Sequence, residues 1–239
     1  MRGRLPARPL GEVADAAVRV FAAKGFRPAG ISDVAKALGL SHGAVYTYAD
    51  SKQALLYLAL LRVLDPAAVD ALTPPVTAPS PDKVVALLRD WAAARSGFEP
   101  VAELLARPPA GSRAAAEVEL GQVVDGVYGF VEGNRVVLQL FARCSEDLPE
   151  LAQWYYVDTR RGLLELLGGY LRTRIEAGLL RPVPDVAVAA RFVIETVAWF
   201  AMHRHGDPDS AAMLGDEECR RSVRDLVTAS FLPRGAVTT

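Results

Sequence analysis

The chain has 239 residues, 51% of them apolar, and a formal net charge of −1 at pH 7. That suffices for a sizeable core in one large domain or two smaller ones, and the overall charge gives no nucleic-acid signal. Two distant cysteines, Cys144 and Cys219, exclude a disulfide framework and a zinc spacing, and no apolar run reaches the roughly 18–20 residues that cross a bilayer, so a protein of the reducing cytoplasm is expected.

The charge is unevenly distributed. Residues 1–62 carry +5 and the remainder −6, an asymmetry that suits either a polyanionic partner for the basic end or a clustered solvated surface. The first nine residues contain Arg2, Arg4 and Arg8. No apolar stretch follows them, so they read as an arm rather than a signal peptide, either reaching an adjacent minor groove or remaining a solvated tail.

From Leu10 to Lys24, Ala14, Ala17, Val18 and Phe21 share one helical face, and Gly25 supplies the stop. Ile31, Val34, Ala35 and Leu38 repeat that spacing in a second helix ended by Gly39. Ser41 is the expected N-cap of a short third helix running to about Tyr48. Asp50, with Gln53 three residues later, is the expected cap of a fourth, which continues through Leu55, Leu58 and Leu61 until Pro66. Residues 73–81 hold four prolines in nine positions and read as a loop between domain regions. Helical patterns resume at about 82–97, 99–106, 112–130, 134–144, 149–177, 184–204 and 216–232, without a convincing strand. The fold class is therefore all-α.

The segment Gly30–Lys52 has the form helix, tight turn, helix. Gly39 permits the positive φ of a tight turn, and Leu40 can fill the angle between the helices. Ser41, His42, Gly43 and Ala44 begin the second helix with small and polar residues, as close approach to a major groove requires. Its unpaired N–H groups suit a phosphate. The Tyr46 and Tyr48 hydroxyls can reach phosphate oxygens and fix register, although both rings also suit core packing. Lys52 at the entry to the fourth helix adds a cation for one more phosphate, and His42 can donate or accept toward a base edge.

The run Ala16–Phe26 resembles the first helix of TetR-family regulators, Ile31–Tyr48 is similar to that family's helix-turn-helix, and Asp50–Leu55 resembles its entry to helix four. The resemblance covers about residues 10–60. It implies an N-terminal three-helix helix-turn-helix domain at 1–62, with the motif at about 30–49, and a C-terminal helical bundle at 63–239 for ligand binding and dimerisation. It also implies double-stranded DNA as partner, at a near-palindromic operator read by a homodimer, with Ser32, Ser41, His42, Gly43, Ala44, Tyr46, Thr47, Tyr48 and Lys52 as contacts. The implied function is that of a repressor released by a small apolar ligand, with no cofactor and no catalysis. Three departures stand out. Gly30 occupies the usual hydroxyl cap of helix two, His42 a frequent lysine, and Ala49 a common phenylalanine, which predicts a looser angle between helices three and four.

In the sensor half, the resemblance implies that the helices at 184–204 and 216–232 pair with their copies, through Val186, Ala189, Ala190, Val193, Val197 and Ala201 on one and Val223, Leu226, Val227 and Phe231 on the other. The same stripes also suit an ordinary protomer core. Aromatic residues suggest a ligand pocket at Trp91, Tyr128, Phe141, Trp154 and Tyr155, with Arg95, Glu103, Gln139, Arg143 and Glu195 as polar anchors. Arg191 and Glu195, four residues apart, equally suit an ion pair. Rival readings are few. His203, His205 and Cys219 lack metal spacing, Cys144 lacks a basic neighbourhood that would make it a redox switch, and no phosphate loop, nucleophile elbow or zinc helix is present. A helical adaptor or ligand-binding protein without DNA function remains as the alternative, separated by salt-dependent DNA binding.

Overall fold

The computed structural model describes residues 8–94 and 97–233. Arg2 and Arg4 of the basic arm and Arg95 among the expected anchors lie outside them. Every regular element among the described residues is helical, and one isolated bridge joins Ala49 and Val76. The chain divides into two compact units, Met1–Arg95 with Val136–Tyr156, and Ser96–Arg135 with Val157–Thr239.

In the first unit, α1 (Leu10–Lys24) buries Val13, Ala14, Ala16, Ala17, Val18 and Phe21. Its three alanines let α4 (Lys52–Leu64) approach closely, and Arg62 Nε and Nη2 donate to the two oxygens of Asp15 at 2.7 and 3.2 Å, pinning the helices. Gly25 adopts φ 82°, and a side chain there would meet the Arg143 carbonyl oxygen at 3.1 Å. Helix α4 ends at Leu64, and a short α5 (Pro66–Asp70) starts on the proline. After α6 (Pro81–Ala94), the unit is completed by α9 (Arg135–Ser145) and α10 (Pro149–Ala152).

The proline-rich stretch 73–81 is more than a linker. Val76 is buried, its N–H donates to the Tyr48 carbonyl at 2.8 Å, and its own carbonyl accepts from the Asp50 N–H at 3.0 Å. Thr77 Oγ1 donates to Asp50 Oδ2 at 2.6 Å. This strap passes beside the buried Ala49, whose small side chain leaves room for it. The junction expected to be loose is therefore tied on both sides of Ala49.

The second unit contains α7 (Glu99–Ala106), α8 (Arg113–Gly133), α11 (Arg161–Glu176), α12 (Val186–Ala201), α13 (Pro208–Met213) and α14 (Asp216–Phe231). The helix expected at 149–177 is three pieces, with π winding over Gln153–Arg160 between α10 and α11. The wider turn brings two consecutive rings, Trp154 and Tyr155, against Phe141 at 5.1 and 6.0 Å. The helix expected to run to residue 204 ends at Ala201, a 3₁₀ turn follows at His203–Gly206, and the expected break from Gly206 to Gly215 contains α13.

Two arginines are buried in this unit. Arg174 donates to Glu119 at 3.0 Å and to the carbonyls of Arg107 and Pro108 at 2.7 and 3.0 Å, and it lies over the Tyr170 ring. Arg204 donates to the Phe200 and Leu214 carbonyls and to Asp216. Each ties a loop to a helix through its guanidinium hydrogen bonds.

The candidate nucleic-acid interface

Helix α2 (Ile31–Leu38) begins at the extended Gly30, whose N–H donates to Asp33 Oδ2 at 2.8 Å and whose carbonyl accepts the Asp33 N–H at 3.0 Å. Lys24 Nζ donates to the other oxygen at 2.7 Å. These two bonds, the lysine's first, hold the Asp33 carboxyl below its ordinary range. Gly39 adopts the left-handed conformation, φ 65° and ψ 29°, and no atom would crowd a side chain there, so backbone conformation alone selects glycine. Leu40 is half-buried and its N–H returns to the Ala35 carbonyl at 2.9 Å.

Helix α3 (His42–Val45) is shorter than expected. Ser41 caps it, its Oγ accepting from the Ala44 N–H at 3.2 Å. Beyond Val45 the chain turns on, with N–H groups of Thr47, Tyr48 and Ala49 reaching back to Ala44 and Val45 carbonyls. Val45 is buried and anchors this turn, while Ser41, His42, Gly43, Tyr46 and Thr47 are exposed, as is Ser32 on α2. Nothing lies within 4 Å of a side chain built on Gly43, so this end of the reading segment is slim and open. His42 stands edge-on to Tyr46 at 5.5 Å between ring centroids. Thr47 Oγ1 donates to the Ala44 carbonyl at 2.7 Å.

Tyr48, Lys52 and Ala44 are half-buried. The Tyr48 hydroxyl accepts the Arg8 main-chain N–H at 2.9 Å, which leaves its own proton to donate outward. Lys52 Nζ donates to the Arg27 carbonyl at 3.0 Å and lies 4.6 Å from the Phe26 ring centre. Tyr48 and Lys52 thus also brace the domain. The cap of α4 shifts by one residue from the sequence expectation. Ser51 Oγ accepts from the Ala54 N–H at 3.1 Å, whereas the Asp50 carboxylate accepts from Ser51 and Thr77. The two aspartate oxygens are engaged by those hydroxyls, which leaves the serine to cap. Of the nine basic residues in 1–62, Arg8, Lys24, Arg27 and Arg62 pair with Glu12, Asp33, Asp147 and Asp15. Arg19 and Lys36 are exposed.

The expected ligand-pocket residues separate. Trp91, Phe141, Trp154 and Tyr155 form one ring cluster in the first unit, with Phe141 edge-on to Trp91 at 5.7 Å. Tyr128 is buried in the second unit beneath the Arg220 guanidinium. Glu103 and Arg143 are exposed, Gln139 is half-buried, and Glu195 pairs with Arg160 and Arg191. A cavity of about 130 Å³ that none of these lines opens in the first unit, between α4, α6 and Leu148–Leu151. Sequence periodicity offered no signal for it, because its walls come from three separated segments. Among the described residues no group of three or more His, Cys, Asp or Glu is placed to hold a metal, and no helix is long and apolar enough to cross a membrane.

Most residues of the stripes expected to meet a second copy serve the protomer core, while Val186 is half-buried and Leu226 exposed. Ala189, Ala190, Val193, Val197 and Ala201 of α12 and Val223, Val227 and Phe231 of α14 are buried within the protomer, where α12 and α14 pack on α8 and on each other. The outward faces instead show Val188, Phe192 and Trp199 on α12 and Leu226 on α14.

A capped, slim, solvent-facing helix set by a left-handed glycine against a packed neighbour defines a helix-turn-helix protein of the all-α class. Residues 13–57 match the family model for bacterial regulatory proteins, tetR family. In fold, the chain is similar to the ketosteroid transcriptional regulator KstR2 of Mycobacterium tuberculosis (16% identity, 97% of this chain and 98% of that one, TM-score 0.55). It is also similar to the TetR family transcriptional regulator PfmR of Thermus thermophilus (22%, 93% and 96%, TM-score 0.52). A third likeness is to a bacterial regulatory protein in the tetR family from Rhodococcus (17%, 96% and 100%, TM-score 0.51). No curated protein matches the sequence.

Proposed function

We propose that this protein is a cytoplasmic, non-catalytic repressor that binds a near-palindromic operator as a homodimer and is released by a small apolar ligand. The exposure of His42, Gly43 and Tyr46 on the Ser41-capped turn, inside the segment that matches the family model, carries this reading. Ser41 and the N–H groups of the first turn face phosphate, His42, Gly43 and Ala44 face base edges, and Ser32, Tyr46, Thr47, Tyr48 and Lys52 fix register on the backbone. DNA reading belongs to 1–62, and ligand binding with dimerisation to 63–239, a division of roles rather than of compact units.

Dimerisation uses the outward residues Val188, Phe192, Trp199 and Leu226, apolar side chains that water otherwise covers. A two-fold dimer sets two reading segments about 34–36 Å apart, one turn of DNA. A ligand that binds the misfit spacing better, by about 1–3 kcal/mol, releases the operator.

Gel retardation on the DNA upstream of the gene, with unrelated competitor and varied salt, tests this. Selective, salt-sensitive retardation is expected. A folded dimer that retains no fragment from a genome-wide selection would leave the adaptor reading instead.

A further inference from the structure

The cavity of about 130 Å³ in the first unit has a definite chemistry. Its floor is Leu60, Leu88 and Leu151, all buried, and its walls are Val84, Val85 and the strap residues Ala78 and Pro79. Only Gln53, Tyr57 and Glu150 bring polar groups, and Gln53 and Glu150 are exposed at the rim. An apolar cavity of roughly 150 Å³ takes up benzene and stays dry without it. At about 130 Å³ the space here holds roughly one six-membered ring, and a substituent on that ring projects to the open mouth. The Gln53 amide can bond one hydroxyl or carbonyl at the mouth, and the Glu150 carboxylate disfavours an anion.

The walls lead to the reading segment. Val76, two residues before Ala78, exchanges main-chain hydrogen bonds with Tyr48 and Asp50, and Thr77 bonds the Asp50 carboxylate. On the opposite wall, Gln53 and Leu56 belong to the first turns of α4, whose cap Ser51 donates to the same carboxylate at 2.9 Å. Both walls converge on Asp50, adjacent to the turn that presents Tyr46 and Tyr48.

We infer that this cavity binds a neutral, single-ring molecule bearing one hydroxyl or carbonyl, and that the Val76–Pro79 strap transmits its occupancy to the reading segment. The transmission step rests on the regulator function proposed above, and the binding step does not. An occupant larger than the empty space separates strap from α4 and displaces Tyr48 with it.

The test uses the full-length protein with labelled Leu and Val methyl groups, and p-cresol as probe. Saturable shifts at Leu60, Leu88 and Leu151 are expected at about millimolar concentration. Val85→Phe should abolish them and the milder Val84→Leu weaken them, with helical content and melting unchanged. The anion p-toluate should bind about tenfold more weakly, and Glu150→Gln should close that gap. On retained DNA, p-cresol should lower affinity about fivefold or more, and Thr77→Val should keep the methyl shifts while losing most of that change.

Absent shifts, or shifts unchanged in both cavity variants, overturn the site. Saturable shifts with DNA binding that ignores p-cresol overturn the transmission. Saturable, Val85-dependent shifts in a protein that retains no DNA leave the site standing and overturn the regulator reading.

Discussion

The hydroxyl of Tyr48 accepts a hydrogen bond from the main-chain N–H of Arg8 at 2.9 Å, joining the reading segment to the residue just before α1. Tyr46, two residues earlier, carries an exposed hydroxyl instead. The two tyrosines should therefore respond differently. Tyr46→Phe lowers affinity for all DNA sequences alike by about three- to tenfold, with unchanged melting. Tyr48→Phe also lowers the melting temperature slightly, since the Arg8 N–H turns to water. Salt-titrated binding on operator and random DNA, beside thermal melts, separates the two. A loss for Tyr46→Phe confined to one base position would remove the phosphate role.

Ser51, rather than Asp50, caps α4. Ser51→Ala should cost about 1 kcal/mol in urea unfolding.

Asp50 gives a pH signature. The Thr77 hydroxyl first, and Ser51 second, hold its carboxyl below the ordinary 3.8. A carboxyl held low in the folded chain contributes stability above the ordinary value and loses it as pH falls through the folded value. The urea midpoint of Asp50→Ala should lie below that of the parent at pH 6 and approach it in acid below about pH 3. A gap that widens on acidification would contradict the Thr77 and Ser51 bonds.

Arg174 is almost wholly buried beside Glu119. Arg174→Ala leaves that nearly buried carboxylate without its partner, and should cost about 3–5 kcal/mol. The double variant Arg174→Met with Glu119→Gln should recover part of the loss, because no buried charge is left alone. A double-mutant cycle by urea denaturation measures the coupling.

Cys144 is buried, and that burial, with the Asp147 charge adding to it, pushes its thiol up to about 12. At pH 8 only about one part in ten thousand is thiolate. In a Cys219→Ser background, disulfide reagents should modify the native chain far more slowly than the denatured one. Rapid native modification would reopen a redox role.

Phe192 and Leu226 face outward. Phe192→Glu or Leu226→Arg should convert a dimer into folded monomers in sedimentation, and weaken operator binding with it. The buried Val193 and Val227 differ: truncating them lowers melting first, since they serve the protomer core.

The sequence by itself determined the local structures. Period 3.6 apolar spacing marked α1, α2 and α4, Gly25 and Gly39 marked their stops, and the small residues Gly43 and Ala44 marked a slim reading turn, because these depend on side chains within one or two turns of each other. Tertiary structure decided the rest. Residues 73–81 are far from Ala49 in sequence, so no local pattern shows that Val76 straps the reading segment. An apolar stripe on α12 reads the same whether it meets α8 or a second copy, and only packing showed which of its faces is left to solvent. The cavity beside α4 depends on three segments meeting, which spacing along the chain does not encode.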